Sequence, residues 1–158
     1  MYKFSFFYKG SIIVFALLIL FIGEMSFSDS SLQIWKKAKK LLSEGKFEEA
    51  EKIYEELLIH YPTDPNIIMG SGYLKYYQGK MVLKNGDFKK ANELFTEAKK
   101  MFDTATNIGG SDIDSKAYFN KGNCDLVLAD FLVNSTQPSG SVNIADVFKN
   151  AITSFRKA

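Results

Sequence analysis

The chain has 158 residues, of which 46% are hydrophobic and 24% are charged, a composition typical of a globular domain with a buried core. The formal net charge of +2 provides no strong basic field, so the composition does not favour binding to nucleic acid. Cys124 is the only cysteine and His60 the only histidine. The sequence therefore lacks the residues needed for an intramolecular disulfide, a Cys/His metal cluster or a histidine-based catalytic triad. We predict neither an enzyme nor a bound cofactor or metal.

The first 28 residues predict an export signal or a membrane anchor. Two lysines precede an apolar run from Ile12 to Ile22, and Ser26 and Ser28 have the small-residue spacing of a signal-peptidase site. A cleaved signal peptide is our first interpretation. An uncleaved anchor is the alternative, although the run is shorter than the ~20 residues of a membrane span. We expect residues 29–158 to fold outside the cytoplasm, in a bacterial periplasm, either free or held at the membrane.

Beyond the signal region, apolar residues recur at three- and four-residue spacing, which predicts amphipathic helices. The first two helices are separated at Ser43–Gly45, and the second ends before Pro62. Asp64 followed by Pro65 predicts the N-cap and first turn of a third helix, which runs to about Lys84.

The second half of the chain predicts three more helices, separated by polar segments that contain glycine, asparagine or serine. The helices are expected over residues 88–102, 115–133 and 142–158, and the connections over residues 85–87, 103–114 and 134–141.

A sequence unit recurs along the chain. The segment GDFKKANELFTEA at 86–98 repeats GKFEEAEKIYEEL, which lies 41 residues upstream at 45–57. The small and aromatic positions are kept while the charged positions change, as expected of a packing unit whose buried positions are fixed by shape. In the last helix, Phe148, Ala151 and Phe155 have the same spacing.

These residues resemble the tetratricopeptide repeat, a pair of antiparallel helices of ~34 residues with small residues at the helix crossing and aromatic residues between units. The resemblance implies an all-α fold in which about three pairs, at 31–64, 65–105 and 115–158, stack as a right-handed superhelix. Two departures are Asp103, where the family has proline, and the seven extra residues between the first two units. Since seven residues make about two helical turns, they lengthen a helix with little rotation of its buried face.

The resemblance also implies a non-enzymatic scaffold that binds a partner protein or peptide on the concave side, which the first helix of each pair lines. Aligned at Ala38, Gly79 and Gly122, the three first helices carry aromatic and polar residues at matching positions. Rings supply contact area, and lysines or an asparagine can hold peptide carbonyls or a carboxylate. The alternative is that the rings only pack against neighbouring helices. The predicted groove residues are Trp35, Lys39, Tyr73, Tyr76, Lys80, Lys116, Phe119 and Asn123.

The expected partner is a protein or peptide of the cell envelope, with membrane contact only through an uncleaved N-terminus. The alternative function is an accessory or targeting domain of a larger envelope enzyme. Val147, Ile152 and Phe155 predict an apolar edge on the last helix that further chain, a partner or a second copy would cover. We expect that helix to be the least stable element.

Three other features favour a structural interpretation over a chemical one. His60 is expected on the surface, and Cys124 is expected to be a buried thiol that behaves as a small hydrophobic side chain. The glutamates between Glu48 and Glu56 are expected to form a solvated helix face.

Overall fold

The computed structural model describes residues 31–134 and 142–158, and over these residues the chain is all-helical, which confirms the predicted class. The predicted signal or anchor and nearly all of the predicted 134–141 loop lie outside the described residues. None of the described helices is both long enough and apolar enough to cross a membrane. The helices are α1 (31–43), α2 (Phe47–His60), α3 (Pro65–Lys84), α4 (Phe88–Ile108), α5 (Ser111–Asn134) and α6 (Ile144–Lys157).

The predicted ends of the first three helices are confirmed. Gly45 and Gly86 follow α1 and α3 with φ angles of 74° and 85°, in the left-handed region where glycine pays no steric penalty. Asp64 caps α3, because its Oδ1 accepts hydrogen bonds from the Asn66 N–H at 2.8 Å and the Ile67 N–H at 3.4 Å. Pro65 occupies the first turn, where its missing N–H costs nothing.

The loop predicted over residues 103–114 is wrong. Helix α4 continues to Ile108 and α5 begins at Ser111, so only two glycines separate them. Phe102 and Ala105, both fully buried, extend the apolar face of α4 through this segment, and its polar residues lie on the opposite, exposed side. Asp103, unlike the proline of the family pattern, leaves the backbone free to continue as helix.

Helices α1 to α5 are successive antiparallel neighbours, because the two to four residues that connect them are too few for the chain to cross the fold. Among α2 to α6, the most extensive contacts join α3 to α4 and α5 to α6, and smaller ones join α4 to α5 and α2 to α3. Helix α3 also touches α5, so helices that alternate along the chain lie side by side. This arrangement brings α1, α3 and α5 to one side of the molecule.

Small residues lie where the paired helices approach most closely. A Cβ added to Gly79 would lie 3.0 Å from Cε1 of Phe95, and one added to Gly122 would lie 2.6 Å from Cε1 of Phe155. The aligned residue of α1, Ala38, is fully buried in the same cluster as Tyr54. Between α3 and α4 and between α5 and α6, an aromatic side chain of the second helix therefore fills the space that the glycine leaves on the first.

Helix α3 belongs to both hydrophobic clusters of the described chain. Ile67 and Leu74 pack with α1 and α2, whereas Ile68, Met69 and Leu83 pack with α4, α5 and α6. Residues 67–72 are consecutively buried, as expected for a helix that has neighbours on more than one side.

Enlarging a small residue at a crossing tests this packing. Ala91 is fully buried in α4, so Ala91→Leu should lower the free energy of unfolding by about 1–3 kcal/mol through overpacking. The matched control is Lys100→Leu, at an exposed position of the same helix, which should change it by less than about 0.5 kcal/mol. Urea unfolding followed by circular dichroism gives both values. Equal effects of the two substitutions would contradict the packing described.

Candidate functional site

A cleft with a volume of about 800 Å³ lies on the side formed by α1, α3 and α5. These are the predicted first helices of the three pairs, and Gly45, Phe47 and Tyr54 complete the lining. The residues that line it are Trp35, Lys39, Leu42, Ser43, Gly45, Phe47, Tyr54, Asn66, Met69, Gly70, Tyr73, Tyr77, Ile113 and Lys116.

Four of the eight predicted groove residues line this cleft together. Trp35 and Lys39 come from α1, Tyr73 from α3 and Lys116 from α5. Tyr77, which was not among the predicted residues, lines it as well.

The other four predicted residues are not in the lining. Tyr76 packs against Phe95 of α4, with ring centroids 5.8 Å apart, and burial raises the pKa of its hydroxyl. Lys80 Nζ lies 5.5 Å from the centroid of the Tyr76 ring. Phe119 contacts Phe155 of α6, and Asn123 is half-buried. Tyr76 and Phe119 therefore pack against neighbouring helices, which was the alternative interpretation of the aromatic rings.

The helical period explains why Tyr77 lines the cleft and Tyr76 does not. Successive residues are rotated by ~100°, so Tyr73 and Tyr77, four apart, share a face, while Tyr76 turns towards α4. Asn66, Met69 and Gly70 precede them at the same three- and four-residue spacing and are also in the lining. Following this stripe along α3 adds Tyr77 to the candidates, and the three-residue step from Tyr73 keeps Tyr76 among them, so the sequence alone does not choose between the two.

The cleft has positive charge and no acidic side chain in its lining. Lys39 Nζ lies 4.5 Å from the centroid of the Trp35 ring, within the range of a cation–π interaction. Lys39 and Lys116 are both exposed, and neither forms an ion pair with another described residue. Each lysine is therefore available to a negatively charged ligand.

Two buried polar atoms of cleft residues have no hydrogen-bond partner in the described chain: Trp35 Nε1 and the Tyr54 hydroxyl. The Tyr54 hydroxyl lies beside Gly70, where an added Cβ would approach it to 2.7 Å, so no side chain of that residue screens it. Burial raises the pKa of Tyr54 to about 12, so the hydroxyl keeps its proton and can donate a hydrogen bond. In contrast, the Tyr73 hydroxyl accepts a hydrogen bond from Asn120 Nδ2 at 2.9 Å.

A second cleft, of about 370 Å³, adjoins the first, and Trp35 and Asn66 line both. Its lining includes Leu32 and Ile67 and a single carboxylate, Asp64. That carboxylate already accepts the N-terminal N–H groups of α3. We refer to the two adjoining clefts together as the groove.

The expectation of a solvated acidic face on α2 is wrong for Glu51. Its Oε1 lies 2.8 Å from Lys75 Nζ, its Oε2 accepts a hydrogen bond from Gln78 Nε2 at 3.1 Å, and Lys75 also lies 3.4 Å from Glu97. The hydrogen bond from Lys75 lowers the pKa of Glu51. This network links α2, α3 and α4, and we assign it to stability because none of its members lines a described cleft.

Both candidate reactive side chains have the structural positions expected of them. His60 is exposed at the end of α2. Cys124 is fully buried in the larger cluster, where burial raises its pKa to about 12, so the reactive thiolate is scarce at neutral pH. Among residues 31–134 and 142–158, no three His, Cys, Asp or Glu side chains are grouped to hold a metal ion.

Comparisons of the chain with models of protein families, with curated proteins and with solved structures gave no match.

Of the three cleft tyrosines, Tyr54 and Tyr73 should respond differently to loss of the hydroxyl. Tyr54→Phe removes an unpartnered buried group, so the free energy of unfolding should stay constant or rise by up to about 1 kcal/mol. Tyr73→Phe, the matched control, removes one of the two acceptors of Asn120 Nδ2 and should lower it by about 1 kcal/mol. Denaturant unfolding of both variants measures the difference, and a destabilised Tyr54→Phe would show that its hydroxyl has a partner.

The Glu51–Lys75 contact should make stability depend on pH. Folding lowers the pKa of Glu51. Its contribution to the free energy of unfolding is therefore fully present above the ordinary carboxyl pKa of 4.5, and it is lost as the pH falls through the lower pKa of the folded state. Glu51→Gln should therefore lower the free energy of unfolding by about 1 kcal/mol at pH 7 and by progressively less in acid.

The control is Glu55→Gln, at an exposed position of the same helix. Urea titrations from neutral to acid pH should show convergence of Glu51→Gln with the wild type, whereas the control should follow the wild type throughout. A pH-independent difference for Glu51→Gln would mean that the contact contributes by shape and not by charge.

Proposed function

We propose that this chain is a tetratricopeptide-type scaffold of the cell envelope, whose groove binds an acidic, extended segment of a partner protein. One observation carries the proposal: α1, α3 and α5 together line a cleft that contains two unpaired lysines, five aromatic side chains and no carboxylate. The recurring contacts of a small residue with an aromatic residue, as in Gly79 with Phe95, support the repeat type. The basic and apolar N-terminus supports export.

The charge of the lining selects an acidic ligand. The chain as a whole is nearly neutral, so the positive charge of the groove is local and not a property of the entire surface. Lys39 and Lys116 approach the cleft from α1 and α5, on opposite sides of α3, and a ligand that crosses α3 can contact both. Aspartate or glutamate side chains, or a chain-terminal carboxylate, would satisfy them.

The shape and lining favour a peptide. The groove consists of two adjoining clefts that share Trp35 and Asn66, which suits a chain better than a compact ligand. Aromatic rings give contact area at low cost in side-chain entropy. The exposed Asn66 amide can pair with peptide groups, and Trp35 Nε1 and the Tyr54 hydroxyl, which have no partner within the described residues, can each donate to a peptide oxygen once the side chains around them move aside.

Selection from a random displayed peptide library on the purified chain tests the proposal. We expect enrichment of peptides that combine aspartate or glutamate with aromatic or aliphatic residues. Lys39→Glu/Lys116→Glu should weaken the selected peptides at least about tenfold, because two attractions become repulsions. The folded state should be unaffected, since both side chains are exposed.

The matched control is Lys36→Glu/Lys84→Glu, which makes the same change of charge at exposed positions of α1 and α3 outside the lining of the cleft. It should bind the selected peptides as the wild type does. Enrichment of peptides without acidic residues, or equal losses in the two double variants, would count against an acidic ligand in this groove.

A further inference from the structure

We propose that the outer face of α5 and α6 binds the same face of a second copy of the chain around a two-fold axis. This end face consists of Phe119, Leu126 and Val133 of α5 with Phe148 and Ile152 of α6. The inference does not depend on what occupies the groove.

The end face is a continuous apolar surface. Its five side chains are between 37% and 59% exposed, and they are half of the large hydrophobic residues exposed in the described chain. The three on α5 recur every seven residues and therefore form one stripe. The stripe of α6 meets it where the Phe119 and Phe155 rings lie 5.8 Å apart.

The equivalent positions of the preceding pair show that such a face is normally covered. With Gly79 aligned on Gly122, Leu126 corresponds to Leu83, yet Leu126 is 43% exposed and Leu83 only 6%. Phe148 corresponds to Phe88, which stacks on Phe131 of α5 at 5.9 Å. Helix α5 therefore covers this face of α3 and α4, whereas no described residue covers the equivalent face of α5 and α6.

Of the three residues predicted to form an apolar edge on the last helix, only some are exposed. Ile152 is exposed, whereas Phe155 is half-buried against Gly122 and Phe119. Val147 packs in the larger cluster, so its predicted exposure is wrong.

The opposite end of the molecule is polar and does not complement this face. Ala117, Cys124 and Leu128 are among the residues with which α5 enters the larger cluster. The aligned positions hold Gln33 and Lys40 of α1 and Glu44 directly after it, all exposed. Because a head-to-tail contact would bury these polar groups against apolar side chains, the matching surface for the end face is the end face itself.

The charges around the face also complement each other across a two-fold axis. Asp130 lies beside the α5 stripe, between Leu126 and Val133, and Lys149 and Arg156 lie beside the α6 stripe. None of these three charged residues forms an ion pair within the described residues. A two-fold axis that runs parallel to the helices places α5 of one copy opposite α6 of the other, so Asp130 and Lys149 meet twice.

The size of the face is consistent with a reversible dimer. From Phe119 to Val133 the α5 stripe spans roughly 21 Å at 1.5 Å per residue. The α6 stripe lies beside it at a helix separation of about 10 Å, so the face is two helices wide. Two such faces bury on the order of 1,000 Å² in total, at the lower end of specific interfaces.

Crosslinking of single-cysteine additions in the full chain tests the symmetry. Ile152→Cys treated with a short bis-maleimide should give a crosslinked dimer as the main product. Lys40→Cys at the polar end should stay monomeric, as should the wild type, whose Cys124 is fully buried. Asp130→Arg in the Ile152→Cys background should lower the dimer yield about fivefold, and adding Lys149→Asp, which lies toward the same end of the face, should restore it.

Two outcomes would overturn the proposal. A monomeric Ile152→Cys would mean that another occupant, or none, covers the face. A ladder of multimers that appears only in the Lys40→Cys/Ile152→Cys double variant would show head-to-tail association.

Discussion

The contact of aromatic side chains with glycines on α3 is the constraint on which the rest of the structure depends. Tyr54 of α2 lies against Gly70, and Phe102 and Phe95 of α4 lie against Gly72 and Gly79. All three rings are nearly or fully buried, so a side chain at any of these glycines would displace a ring that has no free volume to enter. The neighbours of α3 can approach this closely only because its side chains are missing at those points.

This packing also creates the groove. Since the glycines direct α2 and α4 to two sides of α3, the remaining side presents Met69, Tyr73 and Tyr77 to the cleft. Helix α1 supplies Trp35 and Lys39 to one wall, and α5 supplies Lys116 to the other. The helices that carry these side chains are packed through buried residues such as Ala38, Leu74 and Ala117. The backbone of the groove is therefore in position before a ligand binds, and less of the binding free energy is lost to ordering it.

The sequence predicts the helical class, the first three helix ends and the small residues at the crossings, because these depend on local features: a cap at Asp64, a turn at Gly45 and an apolar period. It misplaces the boundary between α4 and α5, where polar residues on an exposed helix face were taken for a loop. It predicts four cleft residues but selects Tyr76 over Tyr77, since the choice depends on a rotation of ~100° that aligned motifs do not specify. The partners of Glu51 and Asn120 lie 24 to 47 residues away and follow only from the packing.

The indole N–H resonance of Trp35 offers the most direct test of the groove, because Trp35 is the only tryptophan of the chain. Its Nε1 has no hydrogen-bond partner within the described residues, so an acceptor from a bound acidic peptide should move the single indole cross-peak of a ¹H–¹⁵N spectrum to lower field. The same peptide with its carboxylates amidated should leave the peak in place. A peptide that binds tightly without moving this cross-peak would contradict the assignment of the groove as the binding site.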